Sequence, residues 1–460
     1  MYLLFSCIIL FLGVPSVGSQ NTGSFWHVTD FHFDPSYTSS RNSCHTEAKQ
    51  RPLGQYGDYL CDSPYALINS SMYAMRDIED NPDFIIWTGD DTPHTSNDNL
   101  DESKVLSMIL NLTHLLMEVF PNTPVYAALG NHDYHPKHLM PPHSNPIYNA
   151  VADSWKAWFR NDVAEQTFRN GGFYTLPMAR NGSRVVVLNT VYYYTNDKLT
   201  ANDSDPAGQL AWLDEVLTNA TLAKEKVHIV AHVPPGHFER HRTKYWFYPQ
   251  FNKKFQDLIV KFSSVIAGMY FAHEHTDNFR LFYNQQDYPV AAMFIAPAVT
   301  PWQTTLPNMI GSAANNPGIR LFKYNRDTSL PTDIWQHYLN LTQTNMTNTA
   351  NWQLEYKASE MYGIRDLSPQ SLNQLVLKFK RQNSEEFRKY YQYNTASIQP
   401  GETCGELCKK VHICSITNID YDDFEKCVIG AVSAASTVCD WMPTFVLLSI
   451  NAVIASIAAN

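Results

Sequence analysis

The stretch Val125-Tyr126-Ala127-Ala128-Leu129-Gly130-Asn131-His132-Asp133 decides the fold class of this chain. Its first half is an apolar, β-favouring run, and its second half is a polar cluster that begins at a glycine. This pattern predicts a buried strand that ends at the carboxyl edge of a sheet, where open α/β sheets place their functional sites. The polar side chains after the strand are therefore candidates for such a site.

Four further apolar runs end in polar residues in the same way, at 25–28, 84–87, 227–230 and 265–271. Imidazole suits zinc, iron or manganese, and one carboxylate can bridge two ions, so a mixture of aspartate, asparagine and histidine predicts a two-metal centre. We predict that Asp90 is the bridging carboxylate. The candidate ligands at the five strand ends are Asp30, His32, Asp90, Asn131, His232, His273 and His275.

These motifs and their order resemble those of the calcineurin-like metallophosphoesterases. The family motifs D-x-H, G-D, G-N-H-[DE], a lone histidine and G-H-x-H have counterparts here in sequence order, from Asp30 to His275. The resemblance implies an α/β fold in which a two-sheet β-sandwich is flanked by helices, and it implies a pair of zinc ions. One ion would be bound by Asp30, His32, Asp90 and His275, and the other by Asp90, Asn131, His232 and His273.

One position departs from the family pattern. Ala272 precedes His273, where the family has glycine. If this position needs a positive φ, alanine costs about 1 kcal/mol relative to glycine. We expect local strain at Ala272 without loss of the metal ions.

His132 is the candidate proton donor. It follows the candidate ligand Asn131, which would place its ring beside the leaving group of a phosphoester. Asp133 would orient that ring, as carboxylates commonly do for histidines at metal sites.

His94 is the second candidate for substrate contact. It ends the run Gly89-Asp90-Asp91-Thr92-Pro93-His94, in which a tight turn would return it over the metal site. This run, together with Thr276-Asp277 and Thr300-Pro301-Trp302, resembles the acid sphingomyelinase branch of the superfamily.

Other residues near the motifs have structural explanations as well. Trp246, Phe247 and Trp302 would stack on a base or contact a choline group, and packing between loops explains them equally well. Lysine and arginine are sparse near the motifs, so we expect metal ions and histidines to bind most of the phosphate. Four histidines in proline-rich loops are expected to be solvated or at the pocket rim: His135, His138, His143 and His237.

The composition is that of a folded, acidic protein. Its 460 residues allow two or three domains, and 13% aromatic residues exclude a wholly disordered chain. The formal net charge of -10 argues against a nucleic-acid polymer as partner, because such binders carry a basic surface.

The amino terminus predicts secretion. Residues 1–19 form a short apolar segment that ends in small residues, as a cleavable signal peptide does, and a buried strand is the alternative. N-x-[ST] sequons, the acceptors of N-glycosylation, agree with that location. They occur at Asn69, Asn111, Asn181, Asn202, Asn219, Asn340 and Asn345.

The cysteine count links the two ends of the chain. Loss of a signal peptide would remove Cys7 and leave seven of the eight cysteines, an odd number for an oxidising compartment. Small residues at 433–436 precede an uncharged tail, which resembles a glycosylphosphatidylinositol attachment signal. Cleavage there would also remove Cys439. The alternatives are a retained transmembrane helix or a buried terminal helix.

Six cysteines would remain in the mature chain. Sequence proximity predicts the pairs Cys44–Cys61, Cys404–Cys408 and Cys414–Cys427, among the fifteen arrangements that six cysteines allow. The predicted organisation is a signal peptide at 1–19, a catalytic domain at 20–325, a small helical disulfide-containing subdomain at 326–433 and an anchor propeptide at 434–460.

Three functions from different classes remain open. The first is an extracellular, membrane-anchored, monomeric zinc phosphodiesterase that hydrolyses CDP-choline, nucleoside triphosphates or similar small phosphoesters. The second is a sphingomyelin phosphodiesterase that alters membrane lipids and thereby receptor or innate immune signalling. The third is a catalytically weak surface binding protein, for which Ala272 is the only hint. The short segment between the predicted cleavage point and Asp30 leaves no room for a lipid-presenting saposin domain, which favours the first.

Overall fold

The computed structural model describes residues 21–40, 43–44, 47–48, 53–178, 182–398 and 403–439. Within these ranges no helix is both long enough and apolar enough to cross a membrane. The predicted signal peptide, the Asn181 sequon and the predicted anchor tail from residue 440 onward lie outside the described residues.

The strands alternate with helices along the catalytic part of the chain. The strands are β1 (Thr22–Val28), β2 (Ser43–Cys44), β3 (Glu47–Ala48), β4 (Phe84–Trp87), β5 (Val125–Ala127), β6 (Tyr174–Pro177), β7 (Ser183–Val187), β8 (Lys226–Val230), β9 (Ile266–Phe271), β10 (Asn278–Tyr283), β11 (Pro289–Ile295), β12 (Gly318–Asn325), β13 (Pro331–Leu339) and β14 (Trp352–Lys357).

The α-helices are α1 (Tyr65–Ile78), α2 (Glu102–Val119), α3 (Pro146–Phe159), α4 (Asp162–Gly171), α5 (Gln209–Ala223), α6 (Pro249–Lys261), α7 (Leu341–Thr347), α8 (Ala358–Tyr362), α9 (Pro369–Phe379), α10 (Glu385–Tyr393), α11 (Glu406–Thr417) and α12 (Tyr421–Cys439). Helix α2 illustrates how the sequence sets a boundary, because the Asp101 side chain accepts a hydrogen bond from the backbone N–H of Lys104 at 2.9 Å.

Two six-stranded sheets form the framework, as the family resemblance implied. Their strand orders are β14-β13-β12-β1-β4-β5 and β10-β11-β9-β8-β7-β6. Aromatic side chains fill the space between the two inner faces. Phe25 of β1 stacks between Phe84 and Phe322, with ring centroids at 4.5 and 4.9 Å, and meets the edge of Tyr270 from the other sheet at 5.3 Å. The predicted two-sheet sandwich with flanking helices is therefore confirmed.

The parallel parts of the two sheets determine where the polar strand ends meet. In the first sheet β1, β4 and β5 are parallel neighbours, and in the second β7, β8 and β9 are parallel neighbours. Parallel neighbours finish at the same edge, so the segments after β1, β4, β5, β8 and β9 converge at one end of the sandwich.

The carboxyl-terminal part differs from the predicted boundary after residue 325. Strands β13 and β14 follow that residue and extend the first sheet through hydrogen-bonded pairing with β12 and with each other. The helical part therefore begins at α8, and α9 and α11 pack against β10 and β11. The predicted start of this helical part at residue 326 is therefore too early, because β13 and β14 alternate polar and apolar residues only weakly and were not recognised as strands.

The three predicted disulfides are confirmed. Cys44 bonds Cys61, Cys404 bonds Cys408, and Cys414 bonds Cys427. The last bond joins α11 to α12, and the first ties the short β2–β3 hairpin to the segment before α1.

Candidate metal centre

All seven candidate ligands lie at the converging strand ends. Two groups of side chains place their ligand atoms within 4.8 Å of one another, namely Asp30 with His32 and His275, and Asp90 with His232 and His273. Asn131 joins the second group, because its Oδ1 lies 3.2 Å from His232 Nε2. The grouping is the one that the resemblance implied.

Asp90 lies between the two groups. Its Oδ2 is 3.5 Å from Nε2 of His32 in the first group and 3.1 Å from Nε2 of His232 in the second. Its other oxygen, Oδ1, accepts a hydrogen bond from the backbone N–H of His132 at 2.8 Å. One carboxylate oxygen is thus shared by both groups, which is the position a bridging ligand requires.

Hydrogen bonds to backbone carbonyls fix how two of the imidazoles are protonated. Nδ1 of His32 lies 2.7 Å from the Thr92 carbonyl, and Nδ1 of His232 lies 2.7 Å from the Thr88 carbonyl. A carbonyl only accepts, so each Nδ1 carries a proton, and Nε2 is the atom of each ring that would bind a metal ion.

The site also contains buried acceptor atoms that the protein leaves unsatisfied. Nε2 of His32 lies only 3.2 Å from Nε2 of His275. Among the described residues, His273 Nε2 and Asp30 Oδ1 are buried without a hydrogen-bond partner. Crowded lone pairs of this kind are costly unless a cation lies between them, so the residues present fit a pair of divalent ions.

Electrostatics within the cluster oppose the effect of burial. Burial by itself would lower the pKa of His32 and His232, but the carboxylates of Asp30 and Asp90 raise both to about 9. Burial would likewise raise the pKa of Asp90, and His232 instead holds it well below its ordinary value. The site is therefore organised around carboxylate charge that attracts cations.

The ligands have an unusual backbone conformation. Five of them have a positive φ between 41° and 73°, and they are Asp30, His32, Asp90, His273 and His275. Each such residue costs on the order of 1–3 kcal/mol, which metal binding and the surrounding packing must offset.

Ala272 is not one of the strained residues. It lies outside the positive-φ set, and its backbone N–H donates to the His232 carbonyl at 2.9 Å. The expectation of strain at this position is wrong, because the left-handed conformation falls on His273 and His275 instead.

Asp133 has a different role from the one predicted. Its carboxylate accepts hydrogen bonds from three backbone N–H groups, those of Asp90 at 2.8 Å, Asp91 at 2.7 Å and Gly130 at 2.7 Å. The ring of His132 instead has its Nδ1 3.4 Å from the Pro93 carbonyl. Asp133 therefore fixes two ligand loops against each other and does not orient His132.

His132 and His94 lie together beside the first metal group. Their ring centroids are 4.5 Å apart, and each is within 4.8 Å of the ring centroid of His32. Burial, followed by the charges of His94 and His32, lowers the pKa of His132 well below its ordinary value. An anionic phosphate bound beside the ring would oppose that shift and favour the protonated form.

Asp62 holds His94 in place and was missed in the sequence. Its Oδ2 accepts the backbone N–H of His94 at 2.7 Å, and its Oδ1 lies 2.8 Å from Nδ1 of the same residue. On its other face His94 stacks on Trp302, with centroids 3.6 Å apart. Asp62 directly follows Cys61, so the disulfide was the only nearby signal.

His138, which we expected to be solvated or at the pocket rim, contacts the candidate ligand Asn131. Its Nδ1 lies 3.1 Å from the amide nitrogen of Asn131. Accepting this hydrogen bond turns the Asn131 oxygen toward the metal site. His143 is exposed and His237 stacks on Phe424 at 3.7 Å, so neither reaches the centre.

A cavity of about 320 Å³ opens above the two metal groups. Trp246 and Trp302 line it, whereas Phe247 is fully buried in the core. Two lysines also line the cavity, Lys137 and Lys244, which corrects the expectation that basic residues are sparse there. Lys137 lies four residues after the Gly130–Asp133 motif, and Lys244 lies twelve residues after His232.

Glu274 fixes the loop between the last two ligands. Its carboxylate accepts from Trp246 Nε1 at 2.7 Å and Asn278 Nδ2 at 2.9 Å, and it forms an ion pair with Arg280. The loop that carries His273 and His275 is thus anchored on both sides.

Two family profiles match consecutive parts of the chain. The calcineurin-like phosphoesterase profile covers residues 23–277, and the acid sphingomyelin phosphodiesterase C-terminal region covers residues 288–433. The chain belongs to the calcineurin-like phosphoesterases. Within that family the second match, to the region at 288–433, assigns it to the acid sphingomyelinase-like phosphodiesterases.

Curated relatives span nearly the whole phosphodiesterase chain. Acid sphingomyelinase-like phosphodiesterase 3b of Homo sapiens is 45% identical over 430 residues, which are 92% of this chain and 94% of the relative. A cyclic GMP-AMP phosphodiesterase of Mus musculus is 39% identical, covering 91% and 95%. Sphingomyelinase phosphodiesterase C of Dictyostelium discoideum is 36% identical, covering 93% and 98%.

Proposed function

We propose that this protein is an extracellular, membrane-anchored, monomeric phosphodiesterase with two zinc ions, and that it hydrolyses small phosphodiesters and nucleotides. The observation that carries the proposal is the position of Asp90, whose Oδ2 is near Nε2 of both His32 and His232. Four imidazoles with carboxylate and amide oxygens favour zinc or a similar transition metal over calcium.

The chemistry divides between the ions and the chain. Bound at the two groups, the ions would activate a water molecule and withdraw charge from the phosphate oxygens. His132 lies beside the first metal group and is the proposed donor of a proton to the leaving oxygen. His94, oriented by Asp62 and backed by Trp302, is the proposed contact to the substrate phosphate.

The relatives and the cavity support small phosphoesters as substrates. One relative is named for cyclic GMP-AMP, and a cavity of about 320 Å³ falls within the range of small-molecule sites. Sphingomyelin is the second candidate, because another relative is named a sphingomyelinase and the carboxyl-terminal part matches a sphingomyelin phosphodiesterase region. The catalytically weak binding protein loses its only support, since Ala272 has an ordinary backbone conformation.

The proposed location is the extracellular face of the cell membrane, with a glycosylphosphatidylinositol anchor. Three disulfides support an oxidising compartment. The proposed signal peptide and anchor signal come from the sequence pattern alone. Release of the protein from intact cells by a phosphatidylinositol-specific phospholipase would test the anchor, and retention on the cells would contradict it.

The experiment is a competition between CDP-choline, ATP and micellar sphingomyelin, using the full chain produced by secretion and supplied with zinc. Asp90→Asn is the blank, because asparagine keeps the oxygen that accepts the His132 N–H and tolerates the positive φ. We expect hydrolysis of the soluble substrates and a loss of at least about 1,000-fold in the variant. Preference for sphingomyelin would favour the second candidate, and activity retained by Asp90→Asn would contradict the metal mechanism.

A further inference from the structure

Two half-buried ammonium groups, those of Lys137 and Lys244, line the cavity above the two metal groups. Lys137 Nζ donates a hydrogen bond to the Thr95 carbonyl, and among the described residues its other two N–H donors have no hydrogen-bond partner. Lys244 Nζ lies 5.0 Å from the centroid of the Trp246 ring. Within the part of the chain that the structure describes, neither lysine forms an ion pair. Burial lowers the pKa of both, which reflects the cost of holding these charges away from water.

Among the described residues no carboxylate lies within ion-pair distance of either lysine, although the charges of Asp62 and Asp90 partly oppose the effect of burial on the pKa of Lys137. Two acidic residues line the cavity, Asp90 and Glu274. Asp90 is shared by the two metal groups, and Glu274 is paired with Arg280. The excess positive charge therefore remains beside the site until an anion binds.

The lysines lie close to the residues that would hold the scissile phosphate. They line the same cavity as His94 and His132. Their charges also act on His138, which contacts the ligand Asn131. The proposed zinc ions and the histidines would neutralise the charge of one phosphate. The two lysines therefore remain available to bind another anionic group.

We propose that Lys137 and Lys244 bind a second phosphate of the substrate and so determine its class. The proposal rests on the proposed function and deepens it. A substrate with more than one phosphate, such as a nucleoside polyphosphate or a dinucleotide, removes the excess charge. A phosphocholine lipid would bring its quaternary ammonium group into the same cavity and increase the excess positive charge. The lysines therefore select against sphingomyelin.

Calorimetry tests the proposal without turnover. The probes are α,β-methylene-ADP and phosphocholine, titrated into the full chain carrying Asp90→Asn. Hydrogen bonds to charged groups are stronger than those between neutral groups, so each lysine should contribute about tenfold in Kd, which corresponds to about 1.4 kcal/mol. We expect the double variant Lys137→Gln with Lys244→Gln to raise the Kd of α,β-methylene-ADP by about 100-fold. The Kd of phosphocholine should change by less than about twofold.

Kinetics on the otherwise unaltered enzyme supply the second readout. The double lysine variant should raise KM for ATP by about 100-fold and leave kcat/KM for bis(p-nitrophenyl) phosphate, which has a single phosphate, within about twofold. Lys253→Gln is the matched control, because this lysine lies on the exposed face of α6 and pairs with Asp257. This control variant should change neither KM for ATP nor kcat/KM for bis(p-nitrophenyl) phosphate.

Two results would overturn the lysine proposal: unchanged binding of α,β-methylene-ADP, or equal losses for both probes. Failure of the proposed function is separate, because it would appear as absent hydrolysis by the parent enzyme. The calorimetric comparison, which needs no hydrolysis, would still decide the role of the lysines.

Discussion

His228 and His232 lie four residues apart in the same run, and both are buried, yet their pKa values shift in opposite directions. His228 is inside β8, between the sheets, where burial lowers its pKa to about 4. His232 follows the end of the strand, where the carboxylate of Asp90 outweighs burial and raises its pKa to about 9.

The comparison separates what the core does from what the strand ends do. His228 contacts aromatic rings and has its Nδ1 3.2 Å from the Tyr270 hydroxyl, so it is a neutral packing residue. His232 has its Nδ1 fixed by the Thr88 carbonyl and its Nε2 turned to a carboxylate. Burial is common to both, and the partner of the second nitrogen distinguishes a core histidine from a candidate ligand.

The largest effect should come from the proposed proton donor. His132→Ala keeps the backbone N–H that donates a hydrogen bond to Asp90, so the metal site should persist. Alkoxide leaving groups need the proton and should react about 100- to 10,000-fold more slowly, whereas a p-nitrophenolate leaving group should react nearly as fast as before. Steady-state rates on the two substrate types provide the measurement, and equal losses would contradict the role of His132.

A core histidine should change stability and leave chemistry alone. The pKa of His228 is about 4 in the folded chain and about 6.5 when unfolded, so the unfolded state takes up the proton first as the pH falls. The free energy of unfolding should therefore drop between pH 6.5 and 4, by up to about 3 kcal/mol from this residue. His228→Asn keeps a polar atom near Tyr270 and should lack that part of the drop.

Denaturant unfolding of both proteins at pH 7 and pH 4.5, in the presence of a chelator, measures this difference. Groups that titrate in both proteins cancel in the comparison. Parallel pH profiles of the two proteins would show that His228 is not the neutral core residue described.

A smaller effect should come from the residue behind His94. Asp62→Asn removes the charge from the carboxylate that accepts from His94, and we expect a loss of about tenfold in kcat, or about 1.4 kcal/mol. A double-mutant cycle identifies a positioning role. Asp62→Asn should have no further effect in a His94→Ala background, and additive losses would show that Asp62 acts independently of His94.

The smallest effect concerns a half-buried asparagine outside the metal centre. Asn345 Nδ2 donates to the Gly57 carbonyl at 2.9 Å, and the side chain lies tightly against Gly54. A glycan would occupy the atom that makes this bond, whereas Asn111, Asn202 and Asn219 are exposed. Glycopeptide mass spectrometry should find the exposed sequons occupied and Asn345 bare, and a glycan on Asn345 would contradict the packing.

The sequence predicted which side chains converge at the site, because each candidate ligand follows an apolar run that forms a strand. It did not predict Asp62, His138, Lys137 or Lys244, whose roles depend on loops that meet only in three dimensions. Adjacency misled the prediction for Asp133, because a residue next to His132 in sequence turns its side chain to three backbone amides. Strands β13 and β14, at the edge of the first sheet, were not predicted because their polar and apolar residues alternate only weakly.

The most direct test is the metal content of the full chain after saturation with zinc and dialysis, measured by inductively coupled plasma mass spectrometry. His232→Asn and His228→Asn are matched variants of two buried histidines in one run. We expect two zinc ions per chain in the parent protein and in His228→Asn, and fewer than two in His232→Asn. A parent chain that retains no zinc, or equal losses in the two variants, would contradict the claim that the strand ends form a two-metal centre.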